Sequence, residues 1–106
     1  MSQVNDNLKN ESIAANAKMA ELIWNVESLA RDIVKSIVDD PKNVLVTSSP
    51  SEDGLLIEIK VGQDDVGKII GRQGRVANAL RVLIKAVGAK HEERIKVNVF
   101  NTPLGA

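Results

Sequence analysis

Gly67-Lys68-Ile69-Ile70-Gly71-Arg72-Gln73-Gly74-Arg75 sets a glycine-flanked basic turn between two apolar segments. Gly71 and Gly74 have no Cβ, so the main chain there can take tight geometry and let another backbone approach closely. A helix beginning at about Arg75 aims its unpaired N–H groups and positive dipole end at the same spot. Lys68, Arg72 and Arg75 add three full positive charges. Amides, a helix start and cations converging on one turn suit a sugar-phosphate strand, and phosphate contacts of this kind set affinity and position without reading sequence.

Spacing decides which glycine loop this is. A P-loop requires Gly-x4-Gly-Lys-Ser/Thr, whereas Gly67 and Gly71 are followed by Arg72-Gln73. A dinucleotide fingerprint requires G-x-G-x-x-G, and Ile69 stands where its first glycine belongs. What remains is G-x-x-G running into a helix, the loop with which a KH domain holds about four single-stranded nucleotides. As a bare tetrapeptide it also describes a plain turn between helices, so its surroundings must be read with it.

Working outward, Leu22, Ile23, Val26, Leu29, Ala30, Ile33, Val34 and Ile37 recur at three- and four-residue steps and predict an amphipathic first helix over about residues 18–39. Asp40-Pro41 closes it, because the proline ring disfavours helical geometry at Asp40. Val44 to Thr47 predicts a short strand, and Ser48 to Gly54, with Pro50 and Asp53-Gly54, a turn-rich loop. Leu55, Ile57, Ile59 and Val61 alternate with Leu56, Glu58 and Lys60, predicting a second strand with one buried face. A short helix then starts at Gln63 or Asp64 and carries Val66, Ile69 and Ile70, with Asp64 and Asp65 suited to its N-terminal dipole. After the glycine turn come a third helix, about Arg75 to Ala89, and a final alternating strand around Ile95 to Val99. The predicted order is α-β-β-α-α-β.

The 106 residues, 43% of them hydrophobic, suit one small domain with a single core. Without cysteine there is no disulfide framework, thiolate metal site or thiol nucleophile. Met1 to Asn10 lacks the apolar stretch of a secretion signal, and no apolar run reaches the roughly 20 residues that span a bilayer. A cytoplasmic protein without membrane attachment is expected. The formal net charge is zero but unevenly distributed: residues 1–65 hold six Lys and Arg against twelve Asp and Glu, and residues 66–106 hold eight against two. The basic part contains the glycine turn, so a local basic patch can coexist with overall neutrality.

In element order, and in Asp65-Val66-Gly67-Lys68-Ile69-Ile70-Gly71-Arg72-Gln73-Gly74-Arg75-Val76-Ala77, the chain resembles type II KH domains, and more narrowly the KhpA (YlqC-type) family of small bacterial RNA-binding proteins made of a single KH domain. The resemblance covers about residues 20–100 and leaves residues 1–19, an extension either flexible or continuing the first helix, and the tail 101–106 outside it. It implies an α+β fold with three helices on one face of a three-stranded sheet, and a variable loop at Ser48 to Gly54. It implies that Arg72 and Gln73 face the RNA backbone. Lys68, Ile70, Gly71, Arg72, Gln73, Gly74, Arg75 and Val76 are then the expected RNA-binding residues, although Ile70 and Val76 are equally readable as core. The implied partners are single-stranded RNA, a second copy of the chain, and a larger KhpB-like protein; the implied role is post-transcriptional regulation or RNA chaperoning. No cofactor is expected.

Two further features invite interpretation. On the third helix, Val76, Ala77, Leu80, Leu83, Ile84 and Val87 form one side, and Ala79, Val82, Ala86 and Ala89 widen the apolar arc to about twice what covering one sheet requires, interrupted only by Asn78, Arg81, Lys85 and Gly88. The surplus serves as groove lining, as a subunit contact or as plain exposed helix. In the N-terminal arm, Ile13, Ala17, Ala20 and Trp24 share a stripe if the first helix extends back to Ser12, a partner contact on one reading and a polar tail on the other. An enzyme finds no support: the single histidine, His91, sits in a charged turn, and Asp64-Asp65 and Glu92-Glu93 are sequence neighbours rather than carboxylates facing across a cleft. The remaining rival is a protein-interaction module whose G-x-x-G is only a turn.

Overall fold

The computed structural model describes the backbone of residues 2–101 and the side chains of residues 17–100. Helix α1 (Ser2–Ile37) is followed by strands β1 (Leu45–Ser51) and β2 (Gly54–Val61), helices α2 (Val66–Ile70) and α3 (Arg75–Lys90), and strand β3 (Arg94–Asn101). This is the α-β-β-α-α-β order that the sequence predicts. β2 lies at the centre of the sheet, antiparallel to β1 and parallel to β3. The parallel pairing needs a crossover, and α2 and α3 supply it.

Alternation in β2 decides which face is covered. Leu55, Ile57, Ile59 and Val61 are buried, while Leu56, Glu58 and Lys60 are only partly so. The buried row joins Val46 of β1 and Ile95 and Val97 of β3 in one cluster with Leu22, Val26, Ala30 and Val34 of α1, Ile69 of α2, and Leu80 and Ile84 of α3. All three helices therefore share one face of the sheet. Ser48, opposite Ile57 on that inner face, would be an orphaned hydroxyl in an apolar layer; it donates instead to the Glu27 carboxylate of α1.

Several boundaries differ from expectation. β1 runs on through Ser51, so the expected loop Ser48 to Gly54 shrinks to the two-residue turn Glu52-Asp53 between Ser51 and Gly54. Pro50 does not end the strand because β1 is an edge strand, where a missing N–H costs no ladder bond. α1 ends at Ile37, and Val38, just past it, is in the core while Ile37 is exposed. Its backbone is helical from Ser2, so α1 accounts for most of the molecule's 59 Å long axis. Ala17, Ala20 and Trp24 of the proposed N-terminal stripe are exposed; the side chain of Ile13 lies outside the described residues.

On α3 the buried face is narrower than the apolar arc. Ala77, Leu80, Ile84 and Gly88 are buried, whereas Val82 and Leu83 are exposed. Gly88, read from sequence as a break in the arc, is instead a contact: a Cβ there would stand 2.6 Å from the Glu93 carbonyl oxygen and 2.9 Å from Ile95. The helix approaches β3 closely because that side chain is missing.

Candidate nucleic-acid interface

Helix α2 stops at Ile70 because Gly71 takes φ 75° and ψ 175°, leaving helical space. Its N–H still closes on the Gly67 carbonyl at 2.9 Å. Arg72-Gln73-Gly74 forms one tight turn, with Gln73 at φ 55° and Gly74 at φ 74°, both left-handed. α3 begins at Arg75, and no side chain caps its start. The result is a bend with Arg72 and Gln73 exposed at its tip, Arg75 exposed beside them, and the first-turn amides of α3 lacking any side-chain acceptor from the protein.

The other residues expected at this site are placed differently from one another. Gly71 and Gly74 are half-buried within the bend. Ile70 is exposed at the end of α2, and Val76 packs against the core beneath the loop. The Lys68 ammonium turns away from the tip and donates to the Asp39 carboxylate. That hydrogen bond raises the Lys68 pKa above lysine's ordinary value against opposing desolvation, helped by the Coulombic pull of Asp39 and of Asp65 at 3.9 Å. Lys68 thus already has a protein counter-ion, whereas no salt bridge engages Arg72 or Arg75 among the described residues.

Two residues shape this region through contacts that sequence reading did not assign to them. Asp65, expected to serve the dipole of the short helix, is a buried carboxylate; it accepts from the main-chain N–H of Asp39 at 3.0 Å and of Asp40 at 3.1 Å. It thereby ties the exit of α1 to the start of α2, and its partners lie 25 and 26 residues away, beyond the reach of any local pattern. Arg81, expected only to interrupt the apolar arc, bridges α3 to β3: its Nε donates to the Val97 carbonyl at 3.1 Å and its Nη1 to Asn78 Oδ1 at 2.9 Å.

Nothing in this arrangement suits a reaction. His91 is half-buried at the end of α3, and its N–H donates to the Gly88 carbonyl. Among the described residues, no group of three or more His, Asp and Glu side chains is placed to hold a metal, and no helix is long and apolar enough to cross a membrane. What the bend offers is a cationic tip with exposed amides, a surface for an extended anion.

Comparison with known proteins points the same way. The family model for the KhpA/KhpB KH domain matches residues 27–99. The chain is 38% identical over 75 residues to the RNA-binding protein KhpA of Listeria monocytogenes, an alignment taking in 71% of this chain and 99% of that one. It is 40% identical over 75 residues to its namesake in Clostridium acetobutylicum, 71% of this chain and all of that one. Against the Streptomyces coelicolor protein it is 43% identical over 65 residues, 61% of this chain and 82% of the other. The family match contains the whole glycine loop and begins within α1; residues 1–26 lie before it.

Proposed function

The chain belongs to the KhpA/KhpB family of KH-domain proteins, and on that premise we propose that it binds single-stranded RNA, gripping about four nucleotides through the Gly71 to Gly74 loop. The observation that carries this reading is the exposed Arg72-Gln73 tip between two positive-φ glycines at the uncapped start of α3. Arg72 and Arg75 neutralise phosphates, main-chain N–H groups of the loop donate to them, and Gly71, where a Cβ would collide with Val76, lets the chain turn tightly enough to present that tip. Ile70 offers an apolar edge for a base. With one phenylalanine, one tryptophan and no tyrosine, the chain is too poor in aromatic residues for the stacking rows of other single-strand binders, so base contacts are largely aliphatic and polar and sequence discrimination is low. Its role is that of a binder rather than an enzyme, acting in the cytoplasm as a post-transcriptional regulator or RNA chaperone.

A four-nucleotide site binds weakly alone, and linking two such sites raises avidity without new contacts. The exposed apolar sector of α3, where Val82 is 67% and Leu83 50% exposed, supports pairing with a second copy or with a KhpB-like protein.

The test is binding of a fluorescent single-stranded RNA pool, with DNA as comparison and across a salt series, by wild type and by Arg72→Asp/Gln73→Asp, with assembly size monitored throughout. Salt-sensitive RNA binding that is lost in the folded double variant is expected. Equal binding by both proteins, or none by wild type, would leave the chain as a protein-interaction module whose glycine loop is only a turn.

A further inference from the structure

Helix α1 carries a second stripe that the fold leaves uncovered. Leu22, Val26, Ala30 and Val34 turn one side of the helix to the sheet. About 130° around from them, at about 100° per residue, Ala17, Ala20, Trp24, Glu27 and Arg31 follow one another at steps of three and four. The backbone is helical back to Ser2, and the same steps continue through Ile13 and Asn10 to Asp6, an unbroken heptad row. Ala17 and Ala20 are exposed, and Trp24, the only tryptophan, is 69% exposed. A lone exposed apolar side chain needs no explanation. This one stands in a regular row, and tryptophan is among the residues that most often anchor an interface.

Most of the row precedes the family match, which begins at residue 27. The alignment that takes in 99% of the Listeria monocytogenes protein takes in 71% of this chain. The row is also separate from the apolar sector of α3 around Val82 and Leu83, which lies on a different helix.

The sequence of charges along the row decides what fits it. Asp6 and Asn10 stand at its start, apolar residues at its centre, and Glu27 and Arg31 at its end. A second copy laid parallel would set Asp6 on Asp6, Glu27 on Glu27 and Arg31 on Arg31, like charges in three layers. In one antiparallel register every position of the row meets another position of the row. Asp6 then faces the partner's Arg31, Asn10 the partner's Glu27, Ile13 the partner's Trp24, and Ala17 the partner's Ala20. A slip of one heptad either way would set Ile13 against Arg31 or Trp24 against Asp6. Glu27 tolerates a neutral neighbour because its carboxylate already accepts from Ser48 and lies 3.9 Å from Arg31 of its own chain. The central layers carry only methyl groups, so the two helices can approach closely there.

We propose that α1 pairs through this row with α1 of a second copy, forming an antiparallel two-stranded coil whose two-fold axis passes between Ala17 and Ala20. The contact runs from residue 6 to residue 31, about 39 Å of helix. It stands independently of RNA binding, and it sets the two α1 exits, each beside its own glycine loop, about 55 Å apart at opposite ends of the coil.

The experiment is sedimentation velocity on the full chain over a concentration series, read together with Trp24 emission, for wild type and Ala17→Glu/Ala20→Glu, with circular dichroism to confirm folding. Wild type should self-associate, its emission shifting to the blue as concentration rises. The variant brings four carboxylates together at the centre of the coil and should associate more than about tenfold more weakly. Because the chain has no cysteine, single cysteines report the register. Ala17→Cys mixed with Ala20→Cys should oxidise mainly to the mixed disulfide, well above its statistical share. A wild type that stays monomeric, association and Trp24 emission untouched by Ala17→Glu/Ala20→Glu, or a mixed disulfide no more abundant than random pairing gives would each overturn the pairing.

Discussion

Gly71→Ala should damage the fold of the loop far more than its one added methyl group suggests, and Gly67→Ala, four residues earlier, should not. Gly71 has φ 75° and ψ 175°, a combination nearly confined to glycine, and residues forced into such regions cost about 1–3 kcal/mol. A Cβ there would also stand 2.6 Å from Val76 Cγ2 and 3.0 Å from the Val76 nitrogen. Val76 packs on the core, and its nitrogen belongs to the first turn of α3, so neither atom retreats easily; overpacking of this kind costs about 1–3 kcal/mol. One movement of the loop relieves both strains, so the expected loss is about 3 kcal/mol rather than the full sum. For a domain of this size that lowers Tm by about 12–24 °C. Gly67 lies inside α2 with nothing within 4 Å of an added Cβ, and alanine there should gain about 0.5–1 kcal/mol. Urea unfolding followed by circular dichroism, with equal m values as the check on two-state behaviour, measures both. A Gly71→Ala loss below about 1 kcal/mol, or a Gly67→Ala loss of similar size to that of Gly71→Ala, would refute this account of the bend.

Asp65→Ala leaves the Asp39 and Asp40 amides without their carboxylate and should cost about 2–4 kcal/mol in the same assay, since bonds to a charged acceptor are worth about 1.5–3 kcal/mol each and water partly replaces them here. Glu92 sits at φ 58° just past the end of α3, where glycine is favoured, so Glu92→Gly should stabilise the protein by about 0.5–1 kcal/mol; a loss would show that the Glu92 side chain matters there. The Asp39 carboxylate raises the Lys68 pKa, so the folded state favours the protonated amine and the pair is intact at neutral pH, its contribution fading only as pH rises through the raised value. A carbon-detected NMR titration should find Lys68 losing its proton at higher pH in wild type than in Asp39→Asn; no difference between the two proteins would refute the pairing.

How far these features were legible in the sequence depends on how far apart the cooperating residues lie. β2 is readable because each of its decisive residues, Leu55, Ile57, Ile59 and Val61, sits two positions from the next, and a period of two fixes the face without knowledge of the partner strands. The glycine turn and the start of α3 are readable for the same reason: G-x-x-G and the apolar rows beside it are contiguous. Asp65, which does stand at the N-terminus of α2, is read only in part, and Gly88 is misread, because the rest of their meaning is supplied from elsewhere in the chain. A carboxylate after a strand resembles a dipole partner until the Asp39 and Asp40 amides are brought to it, and a glycine in a helix resembles a flaw until Ile95 arrives against it. Pro50 misleads through topology: a proline breaks a central strand, and only the sheet order reveals that β1 is an edge.

The same distinction explains how a chain with no net charge can direct a polyanion. Counting charge along the sequence separates an acidic part from a basic one and puts the boundary just before the glycine loop, but only the fold decides which groups flank the loop in space. The crossover from β2 to β3 places α2 and the loop between the exit of α1, with Asp39 and Asp40, and the length of α3, with Arg75, Arg81 and Lys85. Asp65 fixes the acidic side by binding the α1 exit to α2, and Arg81 fixes the basic side by binding α3 to β3. Each bridge therefore sets an electrostatic flank as well as a contact. Arg81→Met, which keeps the apolar stem but removes the bond to the Val97 carbonyl, should accordingly weaken binding of the single-stranded RNA pool by more than the loss of one charge accounts for. A change in salt slope of only about 0.7 with no other effect would mean that Arg81 acts merely as one more cation.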